Sequence, residues 1–255
     1  MKGADRPAAD AGIGRTEAEC AASGSMASGG GEKENPEDGG ASRSGTRADA
    51  AISGAAAGRF SRGAVDGFGP VLVPDERIEW VFAYGSLMWD PGFVPAEAVR
   101  AWLAGYRRDF ALWSHHYRGT PDLPGLVLAL EPAEGAACPG MALRLPEEGR
   151  AAIIAGLRRR ELVSYAYAER LVTLELADGR RVEALAYVVR AGHPQHATGL
   201  SPDEKARIIA RARGARGANG DYLANTLAHL GRLGIADPAL AALSAAVRRF
   251  GHEEE

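Results

Sequence analysis

The apolar positions divide the chain into two parts. From residue 71 onward, apolar side chains recur with the periods of strands and helices, whereas residues 1–70 contain few large apolar side chains. Gly, Ala, Ser, Asp, Glu and Arg dominate the first part, which cannot bury enough surface to offset its ordering entropy. We therefore predict a disordered, low-complexity tail over residues 1–70 and one folded domain over residues 71–255. Whether the tail is dispensable or functional stays open.

Alternation with period two predicts strands early in the folded part, and helical periodicity follows later. Asp178-Gly179 is a hairpin signal between two alternating segments. Ser201, followed by Pro202 and acidic residues, marks a helix start. Because the helices gather late, the pattern favours an α+β fold over a doubly wound α/β fold. The predicted strands are 80–84, 109–114, 125–132, 138–145, 168–176 and 181–189, and the predicted helices are 146–160, 201–213, 221–233 and 238–250.

Composition excludes several classes of protein. The net charge of −3 over 255 residues argues against a general nucleic-acid binder. No apolar run is long enough to span a membrane, and the N-terminus lacks the apolar region of a secretory signal. The two cysteines, Cys20 and Cys138, are too few for a disulfide framework or a cysteine metal cluster. We therefore expect a cytoplasmic protein without a metal or a cofactor.

The stretch from Val81 to Leu87 is the first candidate site. An apolar run breaks at Tyr84-Gly85-Ser86 and then resumes. A glycine at a strand end lets the backbone turn and leaves N–H groups free for a carboxylate or an oxyanion. An ordinary strand and turn would give the same pattern, so both interpretations stay open here. Ser86 is not expected to be a nucleophile, because no base lies at a recognisable spacing.

Glu161 is the second candidate, at the end of a predicted helix that closes with three arginines. A carboxylate is disfavoured at a helix C-terminus, where the dipole is negative. One interpretation is a surface glutamate in a charge cluster. The other is a general base facing a cleft whose apolar walls raise its pKa. The residues that could form those walls are Leu157, Leu162, Val163, Tyr165 and Tyr167.

The histidines indicate neither a catalytic triad nor a zinc site. Ser114 and His115 are adjacent on a predicted strand, so they point to opposite faces and cannot easily pair. His193 and His196 lack both the i, i+4 helical spacing and a nearby carboxylate in the sequence. A loop pair of histidines is the favoured interpretation. The surrounding segment, 192–200, is a candidate lid.

Two loops could border a pocket. Arg118 precedes Gly119-Thr120-Pro121, which is either a structural hairpin connection or a rim whose arginine pairs with a ligand carboxylate. Residues 215–223 are Gly-rich and precede a helix, but they lack the G-K-[ST] of a phosphate-binding loop. A loop leading to a helix cap at Asn219 or Asp221 is the simpler account.

Together these segments resemble the ChaC-type, glutathione-specific γ-glutamylcyclotransferases, and they occur in family order. Residues 81–89, VFAYGSLMW, resemble the family's glycine-containing substrate loop, and Glu161 falls where the family carries its catalytic glutamate. Residues 106–110, 114–121 and 124–130 resemble the strands and turn that follow the loop, and residues 212–226 resemble the late loop and helix. In two departures, Ala83 stands where a glycine is usual and Arg216 stands where a small residue is common.

The resemblance implies a small mixed barrel-like sheet flanked by helices and the conversion of glutathione into 5-oxoproline and Cys-Gly without a metal. It implies that Glu161 is the base. Other γ-glutamyl amines or dipeptides as substrates, or a non-catalytic binding protein of the same fold, are the alternatives. We expect a monomer that binds no nucleic acid and no membrane. The implied substrate-binding residues are Val81, Phe82, Ala83, Tyr84, Gly85, Ser86 and Leu87, with Arg118 and Tyr222 on the pocket rim.

Overall fold

Five strands close into a mixed barrel that organises the folded part of the chain. The structure is a computed structural model that describes residues 67–251, so most of the predicted tail lies outside the described residues. The barrel order is β1-β3-β2-β4-β5, and β5 closes onto β1 as the one parallel pair among these strands. The α+β barrel expected from the sequence is confirmed. The strands are β1 Trp80–Ala83, β2 Glu97–Ser114, β3 Gly125–Arg144, β4 Tyr167–Leu176 and β5 Arg181–Val189.

Strand β1 is buried on both faces, which explains its uninterrupted apolar sequence. Trp80 and Phe82 belong to a cluster contributed by alternate residues of all five strands, which is the barrel interior. Val81 and Ala83 point the other way, into a cluster shared with the first helix. The strand therefore joins the barrel core to the helical layer.

Four helices cover the outside of the sheet: α1 Arg150–Glu161, α2 Pro202–Arg211, α3 Asn219–Arg232 and α4 Pro238–Gly251. Ser201 caps the start of α2, as the sequence predicts, and it also forms a reciprocal capping box with Glu204. The short strands β6 Arg213–Gly214 and β7 Gly217–Ala218 form a hairpin before α3. Helices α2 to α4 pack on the outer parts of β2 and β3 through Phe110 and Leu128. Between residues 67 and 251, no helix is long and apolar enough to cross a membrane.

Several predicted boundaries were wrong. Strand β2 begins at Glu97, whereas the sequence was interpreted as a strand only from residue 109. Its period is interrupted by a register shift between Ala104 and Tyr106, which hides the pattern. The two strands predicted at 125–132 and 138–145 are one continuous strand, β3. Helix α1 begins at Arg150, after the left-handed Gly149, and α3 begins at Asn219.

A buried ion pair fastens the segment before β1 to the barrel. The Glu169 side chain is fully buried, and its carboxylate accepts hydrogen bonds from Arg158 Nε at 2.8 Å and from the Val73 N–H at 2.8 Å. Arg158 also donates to the Val73 carbonyl at 2.7 Å and to Asp75 at 2.6 Å. Further upstream, Phe68 packs edge-on against the His193 ring. Contacts with the barrel therefore extend to residue 68.

These contacts predict where the chain can be shortened. A chain beginning at Gly67 is expected to unfold at the same denaturant midpoint as the full chain. A chain beginning at Ile78 removes the N–H and the carbonyl of Val73 from buried charged partners, at a cost of about 3 kcal/mol. Chemical denaturation of both chains measures the difference. Equal midpoints for the two shortened chains would contradict the role given to Val73.

Gly119, Gly125 and Gly214 let two loops cross at backbone contact distance. A Cβ at Gly125 would collide with the Arg118 carbonyl and would lie 2.7 Å from Asn219 Oδ1. A Cβ at Gly214 would lie 2.6 Å from the Gly119 N–H nitrogen. The loop carrying Arg118 is therefore clamped between the start of β3 and the β6–β7 hairpin.

Gly125→Ala is expected to destabilise the protein by about 3 kcal/mol, because backbone atoms surround the added methyl group. Gly231→Ala is the matched control, since a Cβ at this position in α3 meets nothing within 4 Å. That control should instead stabilise the helix by about 0.5–1 kcal/mol. Urea denaturation of the two variants gives both values, and a neutral Gly125→Ala would refute the crossing.

Candidate active site

The chain turns immediately after β1 into a one-turn 3-10 helix, Ser86–Met88. The Met88 N–H donates to the Gly85 carbonyl at 2.9 Å, and the Asp90 N–H donates to the Ser86 carbonyl at 2.9 Å. The first N–H groups of a helix have no acceptor within it. Within residues 67–251, no hydrogen bond is donated by the N–H of Gly85, Ser86 or Leu87. These three groups form the candidate anion cradle.

Two arginines donate hydrogen bonds to this turn. The Arg108 side chain is 1% exposed and donates from Nη1 to the Tyr84 carbonyl at 2.6 Å. Its Nε lies 3.0 Å from Asp237 Oδ2, so its charge is paired. Arg160 donates from Nη2 to Ser86 Oγ at 2.8 Å and from Nη1 to the Asp90 carbonyl at 2.6 Å. The turn is therefore fixed without substrate.

Glu161 is the last residue of α1 and lies beside this turn. Its side chain is 18% exposed, and its Oε1 lies 3.1 Å from Arg160 Nε. Burial raises the pKa of the Glu161 carboxyl above its ordinary value, and the Arg160 charge offsets part of that shift. Ser86 and Glu161 are thus joined through a single guanidinium, although 75 positions separate them in the chain.

Four tyrosines lie after β1, on β4, on β5 and on α3: Tyr84, Tyr167, Tyr187 and Tyr222. Tyr84 donates its hydroxyl to the Tyr187 carbonyl at 2.9 Å, and Tyr167 donates to the Leu128 carbonyl at 2.7 Å. The negative charge of Glu161 contributes to a raised pKa for each of the four phenols. Each of these phenols is therefore within electrostatic reach of Glu161, and the Tyr187 hydroxyl itself lies 3.4 Å from Glu169 Oε1.

Burial is the largest cause of the raised pKa in each phenol. It brings the pKa of Tyr222 to about 12 and raises the pKa of Tyr84 and Tyr167 well above the usual value near 10. The phenols therefore stay protonated at neutral pH and act as neutral hydrogen-bonding groups. Proton acceptance in this cluster falls to Glu161.

Arg118 and Tyr222 form one edge of the site. The Arg118 guanidinium lies over the Tyr222 ring at 5.1 Å, and its Nη1 donates to the carbonyls of Arg216 at 2.6 Å and Ala218 at 3.2 Å. The Asn219 side-chain amide pairs with both backbone groups of Leu126 at 2.7 Å. The sequence left Asn219 open as a helix cap, but its side chain docks α3 against β3 instead.

The other polar candidates have structural partners. Ser114 Oγ accepts the Arg118 N–H at 3.0 Å. His193 Nε2 lies 3.1 Å from the Ser164 carbonyl, and His196 Nε2 lies 2.7 Å from Glu131 Oε1, a carboxylate that sequence proximity did not reveal. Among the residues the structure describes, no group of three or more His, Cys, Asp or Glu could hold a metal ion.

The candidate lid at residues 192–200 is fastened to the sheet. The Trp113 N–H donates to the Gln195 carbonyl at 2.8 Å, and the Ala197 N–H donates to the Ala111 carbonyl at 2.9 Å. His193 within it is buried. The segment therefore runs along β2 and is hydrogen-bonded to it, and its role as a lid stays a prediction.

Comparison with known proteins agrees with this arrangement. The profile of the family described as ChaC-like protein matches residues 79–250, which include both the cradle and Glu161. The chain belongs to the ChaC-like family. The E. coli K12 protein named glutathione-specific gamma-glutamylcyclotransferase is 36% identical over 177 residues, covering 69% of this chain and 76% of that protein. The Arabidopsis thaliana gamma-glutamylcyclotransferase 2-3 is 31% identical over 182 residues, covering 69% and 92%.

The crystal structure of a yeast gamma-glutamylcyclotransferase specific to glutathione has the same fold. It superimposes with a TM-score of 0.63 at 24% identity and covers 69% of this chain and 97% of the yeast chain. In the present ChaC-like chain, sequence reasoning missed Arg108 and Tyr187. A charged residue at an inward position of β2 was the available signal for Arg108. Tyr187 had no signal of its own, because its strand is apolar almost throughout.

Burying the Glu161 charge should lower the stability of the folded state. Because the folded-state pKa lies above the ordinary 4.5, the native protein binds this proton more tightly than the unfolded chain. Stability therefore falls as pH rises from 4.5 through the raised pKa. Glu161→Gln should be more stable than wild type at pH 7, with the difference vanishing below pH 4.5. Denaturation of both proteins at several pH values checks this, and a less stable variant at pH 7 would contradict it.

Proposed function

We propose that this chain is a γ-glutamylcyclotransferase that degrades glutathione to 5-oxoproline and Cys-Gly. The observation that carries the proposal is Glu161, a largely buried carboxylate with a raised pKa. It lies beside a turn whose N–H groups donate no hydrogen bond within residues 67–251. A proton acceptor next to an anion cradle is what an intramolecular acyl transfer requires.

The reaction begins with transfer of a proton from the substrate's α-ammonium group to Glu161. The freed amine attacks the γ-carbonyl carbon of the same glutamyl residue, and a five-membered ring forms. The bond between that carbon and the cysteine nitrogen then breaks as Glu161 returns its proton to the departing amine. Glu161 next takes the second hydrogen of the ring nitrogen as a proton and passes it to the same amine, so 5-oxoproline forms as a neutral lactam and Cys-Gly leaves as an ammonium. Since the attack is intramolecular, holding the glutamyl group folded supplies much of the rate through proximity.

The site residues are assigned parts in this reaction as follows. The N–H groups of Gly85, Ser86 and Leu87 bind the substrate carboxylate or the oxyanion that develops on the γ-carbonyl oxygen. The preceding residues Val81 to Ala83 and Tyr84 form the wall that holds this turn. Arg118 and Tyr222 border the pocket. Arg160 positions Glu161 and Ser86 relative to each other.

The names of the E. coli and yeast proteins support glutathione as the substrate, whereas the name of the Arabidopsis relative states no substrate beyond the γ-glutamyl group. Other γ-glutamyl amines or dipeptides are therefore the second candidate, and a non-catalytic binding protein of the same fold is the third. We place the reaction in the cytoplasm and assign it to a monomer that needs neither metal nor cofactor and binds no nucleic acid.

Glu161→Gln keeps the size of the side chain and removes the base, so 5-oxoproline release from glutathione should fall by about 10²–10⁴. Glu148→Gln, an exposed glutamate just before α1, is the matched control and should retain the wild-type rate. Release of 5-oxoproline and Cys-Gly is measured by chromatography for the three proteins.

Each outcome decides a different element of the proposal. A Glu161→Gln variant with the wild-type rate would remove Glu161 as the base. Wild-type protein that cyclises other γ-glutamyl compounds but leaves glutathione intact would favour the second candidate. Binding of glutathione without any product from wild type would favour the non-catalytic protein.

A further inference from the structure

Arg216 lies at the tip of the β6–β7 hairpin with its guanidinium stacked on an aromatic ring. The centre of the guanidinium is 4.6 Å from the centroid of the Tyr117 ring, and Tyr117 is 45% exposed. The backbone beneath this pair is fixed, because the Arg216 N–H donates to the Tyr117 carbonyl at 2.9 Å and its own carbonyl accepts from Arg118. Arg216 therefore has a rigid base and an exposed side chain.

The guanidinium charge of Arg216 has no carboxylate partner within residues 67–251. Among the residues that the structure describes, it forms no ion pair with a carboxylate, and its recorded side-chain contact is the Tyr117 ring. Arg118 differs, since its Nη1 is occupied by two carbonyls. Stacking uses the face of a guanidinium and leaves the N–H donors along its edge available to an anion.

The position of Arg216 fits the far end of the substrate. Arg118 lies over Tyr222, one of the four phenols within electrostatic reach of Glu161, and its Nη1 donates to the Arg216 carbonyl. The reacting γ-carbonyl must lie near Glu161. Beyond that carbonyl, the two residues of Cys-Gly reach about 7 Å when extended. A terminal carboxylate bound at the hairpin would therefore lie at the far end of this extended segment, beyond Arg118.

We infer that Arg216, supported by Tyr117, binds the C-terminal carboxylate of the substrate's glycine residue and selects substrates that carry it. The inference rests on the proposed function and adds a specificity-determining residue at the opposite end of the substrate from Glu161. An arginine edge matches a carboxylate with two parallel hydrogen bonds. Because the pair is exposed, its contribution should be modest and should weaken as salt is added.

The test compares glutathione with its C-terminal carboxamide, which lacks the glycine charge but keeps the reacting half. Arg216→Ala should raise KM for glutathione about fivefold, the size expected for an exposed charge pair, and should leave kcat unchanged. The carboxamide should give equal KM values with wild type and variant. Arg216→Glu should raise KM for glutathione further. Added salt should reduce the difference in KM for glutathione between wild type and Arg216→Ala.

Arg207→Ala is the matched control, since Arg207 is also exposed and stacks on a ring at 4.6 Å, that of Phe250 between α2 and α4. It should change neither KM. An equal rise of KM for both substrates in Arg216→Ala, or no rise for either, would overturn the inference while leaving the proposed function intact.

Failure of the proposed function gives a different result, namely no 5-oxoproline from either compound with wild type. Calorimetric titration of wild type and Arg216→Ala with the same two compounds then tests Arg216 independently of turnover. A Kd for glutathione that rises about fivefold in the variant, with no change for the carboxamide, supports the inference. Equal changes for both compounds overturn it.

Discussion

Closure of the barrel on β1 is the constraint from which the rest of the structure follows. This four-residue strand pairs with β3 on one side and with β5 on the other, so both of its edges and both of its faces are buried. Its inward residues complete the barrel core, and its outward residues form the surface on which α1 packs. The end of β1 and the end of α1 consequently meet at one place. The cradle and Glu161 come from that meeting, although neither sequence segment encodes it alone.

Several charged side chains lie where the end of β1 meets the end of α1. Arg108 and Arg160 donate hydrogen bonds to the carbonyls of the turn, and Arg160 also pairs with the Glu161 carboxylate, so the turn is held before substrate arrives. Glu161 is kept away from water, which is unfavourable for folding but makes its carboxylate a stronger base. The tyrosines differ from Glu161, because burial keeps their phenols protonated and therefore neutral. With neutral phenols nearby, Glu161 is the group that can accept a proton and return it.

The strand alternation and the capping signals predicted most of the fold, because both depend on local sequence. The predicted hairpin between β4 and β5 and the predicted helix cap at Ser201 were correct. The start of β2 was missed because a register shift breaks its period. The site was predicted in part, since the turn after β1 and Glu161 carry local signals and a family resemblance. Strand pairing brings Arg108 and Tyr187 close to the turn after β1. Because it acts between residues far apart in the chain, local sequence did not predict these two positions.

The contacts of Asn219 and Tyr167 with β3 bear on how the protein stays free of misassembly. Within residues 67–251, β3 pairs with β2 along one edge, and no strand covers its other edge before Met141, where pairing with β1 begins. An uncovered strand edge invites pairing with another chain. The Asn219 amide occupies both backbone groups of Leu126, and the Tyr167 hydroxyl occupies the Leu128 carbonyl two residues on. Side chains thus complete this edge in place of a sixth strand. Tyr167 is also within electrostatic reach of Glu161, so replacing it to suit a different substrate would leave the Leu128 carbonyl at this edge without its donor.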